Sequence, residues 1–449
     1  MTRSDTDRLT WLSTLIDKAQ QAGATAADAV LFTSISQSAG WRLGKLEELE
    51  RAEAQDVGLR VFIGQRQAIV SSTDHRPESI DRLVERAVAM AKIAPQDPWC
   101  GLADADLLAG GPAPELDLAD SVEPTPEELK TWAGEAEEAA LAVPGVTNSS
   151  GAGASWDAST ITLVTSHGFS GSYAGTHFSI SASVVAGEGA DMETDYDYAT
   201  ARHRADLDSA AAIGTRAGER TVRRLGARKM PSASVPVIFE PRVSASLLGH
   251  LAGAIAGPAV ARGTSFLKDC MGEAIFPAAI SVIDDPTRRR GLRSKPFDGE
   301  GLPTTRQAII EDGRLTTWLL DSASARQLGL PPTGHASRGV AAAPSPAATN
   351  LYLEAGALSP EELRADIKSG LYVTDLIGMG VNPVTGDYSR GAAGFWIEDG
   401  EIAFPVSELT IAGNLMDMFR ALTPANDLTF RYGVNAPSLR IDGMTVAGA

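Results

Sequence analysis

The sequence predicts an α+β protein in which N-terminal helix-and-strand units precede a mainly β C-terminal domain with a few helices. Three observations carry this. Two segments with apolar residues every three or four positions, 5–21 and 77–94, bracket runs of alternating, β-prone residues. A long stretch, 146–188, is β-like but broken by Gly and Ser. Beyond residue 278, short β-like segments alternate with Gly and Pro turns, among them IEDGRL and IEDGEI, where Asp-Gly accepts the positive φ of a tight hairpin.

Taken in order, Leu9, Leu12, Leu15 and Ile16 share one helical face and Gly23 supplies the stop, so 5–21 is a helix. ADAVLFTSIS, from 27, alternates as a strand does, and LRVFIGQRQAIVSS, from 59, reads as two strands hinged at Gly64 and Gln65. PESIDRLVERAVAMAKIA, 77–94, opens with Pro and Glu as helix starts do. Residues 94–128 are rich in Pro, Gly, Ala and Asp without periodicity, which predicts a surface connector and a boundary. The expected units are an N-terminal subdomain, 1–110, a central subdomain, 111–230, and a C-terminal domain, 231–449.

In the central part PTPEELKTWAGEAEEAALAV is a helix, 146–188 a meander of short strands, and DLDSAAAIGTRAGERTVRRLGA (206–227) a helix. DMETDYDYATARH (191–203) packs four acids and two tyrosines and reads as a solvated, partly mobile loop. The last domain opens with the strand VPVIF and a helix containing SASLLGHLAGAIAG (244–257), and continues as short strands. No fixed-period repeat is present.

Composition narrows the function. The chain has 449 residues, 43% of them hydrophobic and 21% charged, and no apolar run approaches the roughly 18 to 20 residues that cross a bilayer. Its start mixes acidic residues into a helical period, unlike a signal peptide, so the expectation is a cytoplasmic protein without membrane contact. A formal charge of −18 repels phosphate backbones and argues against nucleic acid as a direct partner. The local exceptions, RRLGARK (223–229) and TRRRGLR (287–293), read as a helix C-terminus and a solvated loop. Cys100 and Cys270 stand alone, and each reads as a small buried hydrophobe.

Candidate chemistry is sparse. His250 follows a buried strand on a helix, as metal ligands often do, but Leu, Ala, Gly and Ile surround it within a turn. GFSGS (168–172), flanked by His167 and His177, ends in the wrong residue for a nucleophile elbow and lies in a β meander. GAGASW and GMGVNPVTG each lack the third glycine of a dinucleotide fingerprint. NPVTGDYSRGAAGFWIEDGEIAFP (382–405) is richer: Asp387, Tyr388, Ser389 and Arg390 crowd in front of Phe395 and Trp396. There Arg390 is either an ion-pair partner of Asp387 or a clamp for a carboxylate.

VTGDYSRGAAGFWIEDGEIAFPVSELTIAGNLMDMF, with LRVFIGQRQAIVSSTD near the start and ARGTSFLKDCMGEAIFPAAISVIDDP in the middle, closely resembles the TldD/PmbA family, and within it the PmbA (TldE) type. The resemblance implies a two-subunit zinc peptidase of the bacterial cytoplasm, acting on unfolded peptides and once labelled a modulator of DNA gyrase. In such pairs the TldD-type subunit holds zinc with His-Glu-x-x-x-His and a C-terminal cysteine, the glutamate activating a water. Aligned on the preceding Leu-Leu, those positions are Gly249, His250 and Ala254 here, and Thr423 stands near the cysteine's place. Shifting the register by one puts His250 on the first histidine but leaves Leu251 and Ile255 for the rest.

The resemblance therefore implies a zinc-free subunit with no catalytic or metal residue of its own and no cofactor, zinc being expected in a TldD-type heterodimer partner. Asp387, Tyr388, Ser389, Arg390, Phe395 and Trp396 become candidates for the substrate cleft or subunit contact. The alternatives are an independent hydrolase acting as a homodimer and a nonenzymatic, gyrase-modulator-type protein-binding adaptor.

Overall fold

The computed structural model describes residues 5–448. Its first half is one antiparallel sheet of β1 (Ala26–Arg42), β2 (Lys45–Ile63), β3 (Arg66–Ser72), β4 (Val146–Thr165), β5 (Ser170–Ala186) and β6 (Glu193–Ala201), ordered β3-β2-β1-β4-β5-β6. Strands β1 and β4 pair from Asp28↔Thr165 to Trp41↔Ala152, so chain from both sides of the 94–128 connector shares one sheet.

Four helices cover a single face of this sheet: α1 (Asp5–Gln21), α2 (Pro77–Ile93), α3 (Pro126–Leu141) and α4 (Ala210–Arg223). Ala27, Ala29 and Leu31 with Val57, Leu59 and Val61 bury Leu12, Leu15 and Ile16 of α1 and Leu83 and Ala87 of α2. Further along, Trp156, Phe178 and Ile180 bury Leu129 and Ala133 of α3 and Ile213 and Ala217 of α4. Helices α3 and α4 approach closely at Gly214, where a Cβ would come within 2.0 Å of the Ala136 carbonyl oxygen. Because strand side chains alternate, Asp28, Val30 and Arg60 turn to the opposite face, where Val30 and Leu163 pack on Phe297 from the second half of the chain.

Two stretches differ from expectation. The run 146–188 is not a series of short strands: β4 has 20 residues and β5 has 17. Ladders to neighbours on both sides hold its Gly and Ser residues extended, overriding their weak strand preference. DMETDYDYATARH is not a mobile loop either, since Glu193–Ala201 pairs with β5 as the sheet's edge strand.

The second half contains β7 (Ala233–Phe239), α5 (Pro241–Ala254), α6 (Gly257–Ala261), β8 (Val282–Asp284), β9 (Gln307–Glu311), β10 (Arg314–Leu315), α7 (Ser322–Leu328), β11 (Ala336–Ser337), β12 (Ser345–Pro346) and β13 (Leu351–Leu353). It continues with α8 (Pro360–Arg364), β14 (Ser369–Ile377), β15 (Asp387–Glu398), β16 (Glu401–Asn414), α9 (Leu415–Arg420), β17 (Leu422–Pro424), β18 (Val434–Asn435) and β19 (Leu439–Ala447). Strands β7, β14, β15, β16 and β19 close into a barrel, because β19 pairs with both β7 and β16. A second sheet runs β10-β9-β8-β13-β18. Leu247, Leu248 and Leu251 of α5 join one core with Phe239, Trp396 and Ile411 of the barrel and Val282, Ile310 and Leu351 of that sheet.

Both expected Asp-Gly hairpins form, with φ of 49° and 78° at Asp312 and Gly313 and of 50° and 82° at Asp399 and Gly400. The class is the α+β one predicted, with a β-rich C-terminal domain. Among the described residues no helix is long and apolar enough to cross a membrane.

Candidate functional site

Helix α5 starts at Pro241, whose ring suits the first helical position, and buries Ser244, Leu247, Leu248, Leu251 and Ala254 along one face. Gly249 is exposed with open space around its Cα, while Ala254 is 4% exposed in the core. Five residues apart, the two are separated by about 140° on a regular helix. They diverge, and neither has a donor atom. Thr423, on β17, is exposed. The residues present at these positions do not fit zinc, and among the described residues no three His, Cys, Asp or Glu side chains gather as a metal site.

His250 lies between the two faces of α5 and meets Tyr388 edge-to-face, with ring centroids 5.9 Å apart. Among the described residues its Nε2 is buried without a hydrogen-bond partner, and so is Arg390 Nε, while the Arg390 guanidinium lies beside the Tyr388 phenol. Burial, and then the Arg390 charge, hold the imidazole pKa below its usual value, which favours the neutral ring. Burial pushes the Tyr388 phenol up to about 12. An imidazole, a phenol and a guanidinium thus cluster with unused hydrogen-bonding capacity.

The remaining candidates separate. Asp387 and Ser389 are exposed, whereas Tyr388 is buried, as alternation along β15 requires. Asp387 accepts from Thr385 Oγ1 at 2.7 Å and from Asn414 Nδ2 at 3.2 Å, which hold its carboxyl below the usual range. Arg390 does not pair with it; Nη2 donates to the Leu376 carbonyl at 3.4 Å. Past an irregularity at Ala392/Gly394 the strand shifts register. Trp396 enters the barrel core, and Phe395 lies under the Arg223 guanidinium, 4.8 Å from its centre.

Other singled-out groups have local partners. His167 Nδ1 lies 2.8 Å from the Ala103 carbonyl, and His177 Nδ1 lies 3.4 Å from Asp157. GFSGS forms the hairpin between β4 and β5, with no strand-to-helix turn. Cys100 and Cys270 are half-buried free thiols whose pKa burial raises. TRRRGLR is not a free loop: Arg290 Nε donates to Asp117 at 2.6 Å and Nη1 to Asp206 at 3.0 Å.

Two ionic clusters escape sequence reasoning. Asp195 and Asp197 point inward from β6 and meet arginines: Arg216 and Arg220 reach Asp197 at 2.6 and 2.9 Å, and Arg242 reaches Asp195 at 2.7 Å. Burial works to raise Asp195, but the Arg242 hydrogen bonds and charge outweigh it and hold the carboxyl low. The second cluster joins the two halves of the molecule. Asp28, 1% exposed, accepts from Arg60 at 3.0 Å and from Arg338, 310 positions away. Glu300 lies in their field, and burial pushes its carboxyl up to about 7.

The comparisons with known proteins cover almost all of this. The chain matches the PmbA/TldA metallopeptidase domain 1 over residues 27–91, the central domain over 119–225 and the C-terminal domain over 232–448. It is 41% identical over 424 residues to the metalloprotease PmbA of Escherichia coli O157:H7, spanning 94% of this chain and 92% of that one. A Bacteroides thetaiotaomicron protein described as a candidate modulator of DNA gyrase shares the fold with a TM-score of 0.92 at 26% identity, with all of both chains covered. TldE from Thermococcus kodakarensis superposes with a TM-score of 0.87 at 22% identity, over 98% of this chain and 100% of that one. The matches span all three domains and nearly the full length, and the chain belongs to the PmbA/TldD metallopeptidase family.

Proposed function

We propose that this chain is the zinc-free, PmbA/TldE-type subunit of a two-chain cytoplasmic peptidase, whose TldD-type partner carries the metal and whose substrates are unfolded peptides. The observation that carries the reading is on α5. Gly249 and Ala254, at the family's histidine positions, have no donor atoms and face opposite ways. The remaining polar groups there, His250, Tyr388 and Arg390, can hydrogen-bond a peptide or a partner backbone, and the Arg390 charge beside the single imidazole opposes a cation. This chain would then wall the chamber in which the partner's zinc acts, and an extended substrate would be held through its backbone, a mode tolerant of sequence.

Co-expression with a TldD-type chain from the same source tests this. Peptide cleavage and bound zinc are expected in the mixture and absent from this chain purified alone. Stoichiometric, tightly held zinc in this chain by itself, or chelator-resistant cleavage by it, would overturn the reading.

A further inference from the structure

We propose that the cavity between β6 and the segments 287–293 and 430–435 is a binding site for carboxylates of acidic peptide segments, separate from the α5 cluster. It encloses about 290 Å³, and its charged lining is Arg202, Arg288, Arg289, Arg290 and Arg431 against one carboxylate, Asp206. The whole chain carries 57 acidic and 39 basic residues. A patch drawn at random from such a surface has more acids than bases; five arginines to one acid is the reverse.

Two of these charges lack a carboxylate. Arg202, 8% exposed, donates to the backbone carbonyls of Gly291 at 3.3 Å, Leu292 at 2.6 Å and Thr176 at 3.4 Å. Arg288 lies over the Phe430 ring, 3.5 Å from its centre, and among the described residues no carboxylate pairs with it. The others have carboxylates at the rim: Arg289 and Arg290 share Asp117 at 3.0 and 2.6 Å, Arg290 also reaches Asp206 at 3.0 Å, and Arg431 lies 3.3 Å from Asp208 and 3.9 Å from Asp197. The uncompensated charge of the cavity is that of Arg202 and Arg288.

The loop backbone is also tied at several points. Arg290 has a φ of 55°, uncommon outside glycine, and its N–H is tied to the Leu116 carbonyl at 2.8 Å. Ser294 Oγ donates to the Arg288 carbonyl at 2.6 Å. Strained backbone of this kind persists where its surroundings over-determine it. Guanidinium groups already fixed in place lose little freedom on binding and match the fork of a carboxylate.

A peptide is the occupant the molecule favours. The family is peptidase-type, and a long phosphate backbone would extend beyond the cavity over a chain whose net charge is −18. The site is independent of the subunit reading above, because it belongs to this chain and is assayed on it alone.

The test is fluorescence anisotropy with fluorescein-labelled, C-terminally amidated hexaglutamate and the full-length chain, at low and at physiological ionic strength. Arg288→Glu is expected to weaken binding about ten- to a hundredfold, the scale of a lost charge-assisted contact, and Arg288→Gln by less. Arg51→Gln, on the exposed part of β2, is expected to change nothing, and melting curves verify that each variant folds. Competition by a neutral peptide with a free C-terminus would assign a terminal carboxylate to the same site. The proposal is overturned if wild type binds hexaglutamate no better than hexaglycine, if Arg51→Gln loses as much as Arg288→Glu, or if duplex DNA binds more tightly than the peptide.

Discussion

Glu300 shows how a single side chain can couple the two halves of the molecule to pH. It is 3% exposed, accepts the Ser322 N–H at 2.8 Å and has its carboxyl raised by burial to about 7, an effect that Arg60 partly offsets. The folded chain therefore keeps this proton to a higher pH than the unfolded chain, whose carboxyl titrates near 4.5. The stability Glu300 contributes is complete below about 4.5 and is lost as the pH rises through about 7, a change of roughly 3 kcal/mol. Glu300→Gln preserves the acceptor for Ser322. Denaturant melts are expected to find the variant equal to wild type near pH 4.5 and more stable by about 3 kcal/mol near pH 8.5. None of this is legible in sequence, because Asp28, Arg60, Glu300 and Arg338 meet only where the sheet's second face docks on the C-terminal half.

Among the elements, β6 has an acid content that masks its strand pattern. Asp195 and Asp197 alternate with Tyr196 and Tyr198, and the buried positions are Asp195, Asp197, Ala199 and Ala201. A complementary signal lies in the next helical segment: Arg216, Arg220 and Arg224, four residues apart, share one face of α4 and its C-cap. An acidic stripe of period two followed by a basic stripe of helical period is the sequence trace of this packing. Asp197 is 1% exposed and holds Arg216 and Arg220 together. Asp197→Ala removes their shared buried partner and is expected to cost about 3 kcal/mol, the lower end for a broken buried pair, since both arginines keep some surface in water and a second carboxylate, Asp208 for Arg216 and Glu240 for Arg220. Urea unfolding with an unchanged slope would verify this; a loss under about 0.5 kcal/mol would mean that β6 is held by its backbone ladder alone.

At the scale of the whole molecule, the first sheet is assembled from chain segments more than a hundred residues apart. β1 is bounded by β2 on one side and β4 on the other, and α1 and α2 cover the β1–β3 portion together with Val164 of β4. A fragment of residues 1–110 would expose the β4-facing ladder from Asp28 to Trp41 and the apolar face of Val30 that Phe297 covers. It is expected to be largely unfolded or aggregated by circular dichroism, the unpaired strand acting as an open edge. A cooperative melt from that fragment would show that the connector separates two self-sufficient units. The same distance in sequence explains why the basic cavity was invisible: TRRRGLR reads as loop charge until Arg202 and Arg431 are brought beside it.

What the sequence determined by itself is whatever depends on neighbours a few positions away. Apolar periods mark α1, α2, α3 and α4, Asp-Gly marks the two hairpins, and the DYSRGAAGFW stretch with its neighbours carries the family resemblance. That Gly249 and Ala254 carry no side-chain donor atom is equally legible, since residue type alone decides it. Tertiary structure decided what depends on convergence. It closed five strands into a barrel, joined Asp28 to Arg338, separated Asp387 from Arg390 and brought His250 to Tyr388. The physical reason is that charge pairing and burial act over a few ångströms of space, whatever number of residues lies between the partners.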